Sequence, residues 1–355
     1  MTPLAASLAA RIAAGGPIGL DAYLAEAGAA YYAARDPFGP GGDFVTAPEV
    51  SQMFGELVGA WIGQAWLDQG APGRVVLAEL GPGRGTLMAD ALRALAALPG
   101  FLASAELWLV ETSPVLRRAQ AARLAAFRPH FAARLSELPA GPLFLVANEF
   151  FDALPIRQHR RADPGWQERR VGVADGRLAF DWGPLHVDPG LEARFPLTPD
   201  GVVVETCPAG EAVAAEVGAR IAAAGGAALV VDYGEWDGTG DTLQAVSRHA
   251  PADPLAAPGE ADLTAHVRFR ALAEAARPAR SLGPAAQGEL LARLGIAARA
   301  ERLARGRGAE VAARLAGDVR RLTDPTEMGT LFKALAIVPS GAGLPPGFAD
   351  APERP

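Results

Sequence analysis

Three apolar runs set at regular intervals constrain this chain most. "RVVLAEL" ends at Leu80, "AELWLVE" at Glu111 and "GPLFLVANE" at Glu149, and each has the length and composition of a buried strand. Between them lie "GTLMADALRALAAL" and "PVLRRAQAARLAAF", whose apolar residues recur at helical spacing. Strand, helix, strand, helix, strand predicts an α/β fold, with a parallel sheet covered by helices on both faces. A further buried strand, "AALVVDYG", follows the helical stretch "EAVAAEVGARIAAAG" and ends beside a second acid, Asp232.

The flanking segments are assigned the same way. The first 27 or so residues carry helical periodicity that continues past Arg11 into Leu20, Tyr23 and Leu24, so they are expected to form two helices and not a targeting peptide. Thr46-Ala47-Pro48-Glu49 has capping-box form. A long amphipathic helix should follow, with Val50, Phe54, Leu57, Val58, Trp61, Ile62 and Trp66 facing inward. Residues 156–206 contain an antiparallel pair, "ERRVGV" and "RLAFDW", joined at Asp175-Gly176, and look inserted into the sheet. Residues 234–262 are loop-rich, and helices are expected over 264–276, 285–294 and 309–321. The chain thus divides into an N-terminal helical segment (1–70), a sheet domain with its insertion (71–340), and a Gly- and Pro-rich tail (341–355) expected to be loose.

Composition removes several functions. A single cysteine, Cys207, excludes a disulfide framework and a thiolate zinc site. The five histidines show no pair at metal-ligand spacing, so no metal is expected. Lys333 is the only lysine, and "GTLFKALA" suits neither a Schiff base nor a phosphate loop. A net charge of −7 argues against a nucleic-acid surface, and no uncharged apolar stretch reaches membrane-spanning length.

The first strand runs into "ELGPGRGTL". Glycines here let backbone approach a ligand, at the strand ends where doubly wound sheets bind them. A nicotinamide fingerprint fails, because counting from Gly81 and Gly83 places Thr86 where a third glycine belongs. A pyrophosphate would also be repelled by Glu79. The acid suits a cation, and S-adenosyl-L-methionine carries a sulfonium and an ammonium. Glu79, Gly81, Gly83, Gly85, Thr86 and Leu87 are therefore candidate cofactor residues. Glu111, one helix and one strand further on, is placed to accept hydrogen bonds from ribose hydroxyls. The bland alternative is a tight strand-to-helix connection.

"FLVANEFFDALP" follows the third run, at the same sheet edge. Asn148, Glu149 and Asp152, beside two phenylalanines, form a plausible clamp for a planar cation such as guanidinium, which carboxylates take bidentately. Methyl transfer to it is an in-line displacement that needs positioning and removal of one proton, by Glu149 or Asp152. The alternative is a solvated loop with a helix cap at Asp152. Enzymes that methylate base amino groups carry two prolines here, where this chain has Glu149 and Phe150.

Taken in order, "GDFVTAPEVSQMFGE", "ELGPGRGTLMADALR", "NEFFDALPIRQ", "VVDYG", "ADLTAHV" and "EMGTLFKALAI" resemble the MidA family over nearly the whole chain. The resemblance implies a class I S-adenosylmethionine-dependent methyltransferase: a Rossmann-like sheet with helices on both faces, an N-terminal helical cap and an inserted antiparallel β subdomain. It implies a bacterial cytoplasmic enzyme, with eukaryotic relatives in the mitochondrial matrix. There it implies arginine dimethylation, symmetric in form, of a peripheral-arm subunit of respiratory complex I, in support of complex I assembly. By matching position, Asp43 and Glu49 would border the cofactor or substrate pocket; turn and cap are the alternatives for them. The family commonly has an Asp after "ADLTAHV", where this chain has Arg268, a position expected on a solvated helix face. Three functions stay open: a protein-arginine methyltransferase, a methyltransferase for another amino group or a small molecule, and a non-catalytic assembly factor. The insertion and the 234–262 loops are candidates for partner recognition or for pairing two subunits.

Overall fold

The computed structural model describes residues 2–34 and 46–349. Its centre is a sheet whose seven principal strands we number β1 (Val75–Leu80), β2 (Ala105–Val110), β3 (His130–Ala132), β4 (Leu143–Asn148), β5 (Gly226–Glu235), β6 (Arg280–Ala286) and β7 (Phe332–Val338). In space they run β3-β2-β1-β4-β5-β7-β6. The first five are parallel, and β7 runs antiparallel between β5 and β6. Strand order reverses between β1 and β4, which opens a crevice at their carboxyl ends.

Every residue of β1 and β4 is buried, as expected for parallel strands covered on both faces. On one face, Gln52–Asp68 and Thr86–Leu95 pack Phe54, Trp61 and Leu92 against the sheet. These two helices approach so closely that a Cβ on Gly59 would lie 2.5 Å from the Ala91 carbonyl oxygen. On the other face, Pro208–Ala224 and Phe269–Ala275 supply Val217, Ile221, Phe269 and Leu272.

A third core sits beyond the sheet's carboxyl edge. Helices Pro3–Gly15 and Leu20–Ala34 bury Leu8, Leu20 and Tyr23 together with Ile156, Val171 and Leu263. The insertion supplies four strands of a five-stranded antiparallel sheet, and Ile18–Gly19 is its fifth. The predicted pair is present as Gly165–Ala174 and Arg177–Trp182, joined at Asp175-Gly176. Arg157–Ala162 and Val203–Thr206 complete it.

Several expectations are corrected. The 234–262 region holds a three-stranded sheet, Gln244–Ser247, Ala250–Ala252 and Asp262–Thr264. The helix expected from residue 264 starts at Phe269, because Val267 pairs with Gly234 and the Ala265 amide donates to the Asp152 carbonyl. Ala285 and Ala286 belong to β6, so the next helix is Gln287–Arg293, and an unexpected one, Ile296–Ala304, follows it. The tail is not loose as far as it is described: Phe348 is buried in the main core and the Gly347 carbonyl accepts from Arg293. Among the described residues no helix is long and apolar enough to cross a membrane.

Candidate functional site

At the end of β1 the chain turns through Gly81, Gly83 and Gly85 with φ of 57°, 53° and 75°. All three are left-handed, the conformation glycine adopts without strain. At Gly81 a Cβ would also sit 2.9 Å from the Phe150 ring. Gly85 is the N-cap of Thr86–Leu95.

Glu79, inside β1, is buried, and its Oε2 has no hydrogen-bond partner. Burial, together with repulsion from Glu111, pushes its carboxyl up to about 8. Glu111 lies one strand away. One of its oxygens accepts from the Ser113 amide at 2.7 Å and the other from Gln120 at 3.2 Å. Burial raises the Glu111 carboxyl, and these donors oppose the shift. The same Gln120 amide donates to the Gly83 carbonyl at 2.7 Å, tying the glycine turn to the acid.

Beyond β4 the chain makes a strained turn, with Glu149 at φ 51°. Its carboxylate accepts from Asn148 at 3.1 Å and from the Ala47 amide at 3.3 Å. The residues that follow wrap around Asp232, which is fully buried in β5. One Asp232 oxygen accepts from the amides of Phe150, Phe151 and Asp152 at 3.2, 2.9 and 3.3 Å. Asp152 is buried and its Oδ1 has no partner, while the Tyr233 hydroxyl lies against Asp152 and Thr264. Across from them, the Tyr32 hydroxyl donates to Asp262 at 2.8 Å. Crowding raises the acids: Glu149 to about 8 by burial and Asp152, and Asp152 to about 7 by burial and Asp262. Asp232 is also raised, by burial and by both neighbours.

One cavity of about 1030 Å³ joins these ends. Of the residues singled out from sequence, Gly81, Gly83, Glu111, Glu149 and Asp152 line it. Glu79, Gly85, Thr86, Asn148 and Glu49 stand behind its wall, and Leu87 is in the core. Asp43 lies outside the described residues. Glu49 is not part of a capping box. Thr46 makes no side-chain cap bond, the long helix starts at Gln52 with Ser51 as its cap, and Glu49 instead accepts from the Thr86 hydroxyl at 2.6 Å. Arg268 is not on a solvated helix face: its guanidinium stacks over Phe195 at 4.4 Å, pairs with Asp237, and stays out of the cavity wall.

Sequence reasoning passed over Tyr32, Asp232, Tyr233, Asp262 and Thr264 as site residues. The signals were present: "VVDYG" ends a buried strand at the crevice, and "ADLT" sets an acid between apolar residues. Among the described residues, the cavity wall carries one arginine, Arg134, and no lysine. Buried acids crowded around one cavity, with a buried Glu79 oxygen that has no partner, suit a cationic ligand and disfavour a phosphate. The left-handed glycine backbone at Gly81 and Gly83 forms part of the cavity wall, so main chain can approach a ligand there. The residues present therefore fit a sulfonium cofactor.

A family model described as "Putative S-adenosyl-L-methionine-dependent methyltransferase" matches residues 57–285. The mitochondrial protein arginine methyltransferase NDUFAF7 homolog of Drosophila melanogaster is 37% identical, over 95% of this chain and 85% of its own length. Human mitochondrial protein arginine methyltransferase NDUFAF7 is 35% identical, over 96% and 84%. A crystal structure of a COG1565 superfamily member and likely methyl transferase from Burkholderia thailandensis, bound to S-adenosyl-homocysteine, superposes with a TM-score of 0.84. It is 32% identical and covers 98% of this chain and 95% of its own.

Proposed function

Because the chain belongs to this family of S-adenosyl-L-methionine-dependent methyltransferases, we propose that its acceptor is an arginine side chain of a protein. The observation that carries the proposal is the acidic half of the cavity, where Glu149 and Asp152 face the same space as Gly81 and Glu111. The arginine methyltransferase names of the relatives agree with it.

In this proposal Gly81 and Gly83 give the cofactor close backbone contact, Gly85 shapes the turn, and Glu111 takes the ribose hydroxyls. Glu79 stands behind them as a buried acid whose proton is released when a cation arrives. Bound there, S-adenosyl-L-methionine supplies an electrophilic methyl group. Glu149 and Asp152 hold the guanidinium in plane and aim one nitrogen at that methyl. Both acids are partly protonated when the cavity is empty, and the incoming cation favours their ionised forms. One of them then takes the proton that the attacking nitrogen gives up. Asn148 orients Glu149 through the hydrogen bond it donates.

The proposal extends to a peripheral-arm subunit of complex I as the acceptor, in the bacterial cytoplasm. Exposed Leu185, Val187 and Leu197 on the insertion are side chains that such a protein, or a second copy of this chain, would cover. The test is transfer of labelled methyl from S-adenosyl-L-methionine to that subunit, with the modified residue identified by mass spectrometry. Methylarginine is expected. Label found on lysine, on a terminus or on a small molecule would refute the arginine assignment.

A further inference from the structure

Two hydrogen bonds tie the segment before the long helix to both ends of the site. Residues Ala47–Val50 form a single helical turn, closed by the Glu49 and Val50 amides on the Thr46 carbonyl. The first amides of such a turn have no acceptor within it. The Thr46 side chain supplies none, and the Ala47 amide donates instead to Glu149 Oε1 at 3.3 Å. From the same turn the Glu49 carboxylate reaches the other way and accepts from the Thr86 hydroxyl at 2.6 Å. Thr86 is the first residue of its helix and follows Gly85, the last glycine of the cofactor turn.

The consequence falls on Glu149. Asn148 donates to the same Oε1 at 3.1 Å. Two donors on one oxygen fix the rotation of the carboxylate and leave Oε2 for a ligand in the cavity that Glu149 lines. The Ala47 donor is itself firmly placed: Thr46, Ala47 and Pro48 are buried, and Ala47 belongs to the main core. Burial and the nearby Asp152 push the Glu149 carboxyl up to about 8, and Asp262 adds to them, while the Ala47 amide and Asn148 pull it back. Asp232 also faces Glu149. The amide of Ala47 thus sets both the direction of this acid and its readiness to ionise.

We propose that Glu49 and Thr86 are positioning residues for methyl transfer: their hydrogen bond holds the Ala47–Val50 turn where the Ala47 amide sets Glu149. The helix that begins at the cofactor turn thereby keeps the acceptor acid in register with the methyl group. An in-line displacement needs this, because a misplacement of about 1 Å costs on the order of a hundredfold in rate. The inference rests on reading Glu149 as an acceptor acid.

The test reads the Glu149 carboxyl directly and uses no acceptor. The full chain is labelled with carbon-13 at its glutamate side-chain carboxyls and titrated by NMR without cofactor. The Glu149 signal is identified by its loss in Glu149→Gln. Removing a donor disfavours the ionised form, so the Glu149 midpoint should rise by roughly half a pH unit or more in Glu49→Ala and in Thr86→Val. Thr86→Ser, which keeps the hydroxyl, should titrate as wild type does. Affinity for S-adenosylhomocysteine, measured by calorimetry, should match wild type in all three variants, which also certifies that they are folded. In methyl transfer, kcat should fall in Glu49→Ala and Thr86→Val at unchanged KM for S-adenosyl-L-methionine, and recover in Thr86→Ser. An unmoved Glu149 midpoint in both folded variants would overturn the proposal. Loss of S-adenosylhomocysteine binding in both would also overturn it, by placing the pair in the cofactor site. A raised midpoint with normal transfer would overturn the positioning role. Absence of methylarginine with wild type would overturn the arginine reading instead, and the titration would still decide whether the turn sets Glu149.

Discussion

Asp232 makes the sharpest test of how the acidic loop is built. Its one oxygen collects the amides of Phe150, Phe151 and Asp152, so it fixes both the strained turn at Glu149 and the direction of Asp152. Replacement by Ala removes the acceptor from these three amides and from that of Tyr233, which donates to the other oxygen at 3.0 Å, at about 1 kcal/mol or more each. Replacement by Asn keeps an acceptor oxygen of the same reach for the first three. Both variants equally remove a charge that repels Asp152 and Glu149. The difference between them therefore isolates the acceptor from the charge. Asp232→Ala should be less stable than Asp232→Asn by about 3 kcal/mol in urea unfolding at neutral pH. Its methyl transfer should fall by on the order of a hundredfold, because misplacing a binding group by an ångström costs that much. If the two variants unfold within about 0.5 kcal/mol of each other, the loop is not held by Asp232 and this part of the account fails.

Two further expectations follow from the same geometry. Glu79 and Glu149 sit near 8 in the folded protein against an ordinary 4.5, so the folded chain holds protons that the unfolded chain has released between those values. Their contribution to stability is complete below the ordinary value and lost as pH rises through about 8. The urea midpoint of the cofactor-free protein should fall from about pH 5 to pH 8, with a shallower slope in Glu149→Gln; a midpoint that climbs over this range contradicts the assignment. Arg268→Asp should cost about 2 kcal/mol or more, since it removes the stack on Phe195 and sets a carboxylate beside Asp237. Cofactor affinity, measured by calorimetry, should not change; a large loss would place Arg268 in the site after all.

Four strands of the main sheet, β1, β2, β4 and β5, were legible as apolar runs with few polar residues, whereas β6 and β7 were not assigned from the sequence. The glycine turn was legible because left-handed backbone favours glycine, and three glycines at alternate positions mark such a turn. Most of what else escaped was either short or long-range. β3 has three residues, too few to show a period. The Gly- and Pro-rich end hid Phe348, whose burial depends on a helix far upstream. Asp262 and Tyr32 are separated by 230 residues, and nothing local to either says that they meet. Thr46 and Glu49 had the letters of a capping box, yet Glu49 was taken by the Thr86 hydroxyl, a partner only the folded chain supplies. The Arg268 position misled for the same reason: an arginine at a helix start was expected in solvent, but Phe195 and Asp237 from other segments enclose it.

The central claim is that one cavity has a cofactor end at the glycine turn and an acceptor end at the acidic loop. Titrating S-adenosyl-L-methionine into two folded variants tests it most directly. Gly81→Val puts a branched side chain on a left-handed turn and against Phe150, so it should lose cofactor binding. Glu149→Gln should bind the cofactor as wild type does and lose methyl transfer. Intact binding in Gly81→Val, or loss of binding in Glu149→Gln, would contradict the division of the site.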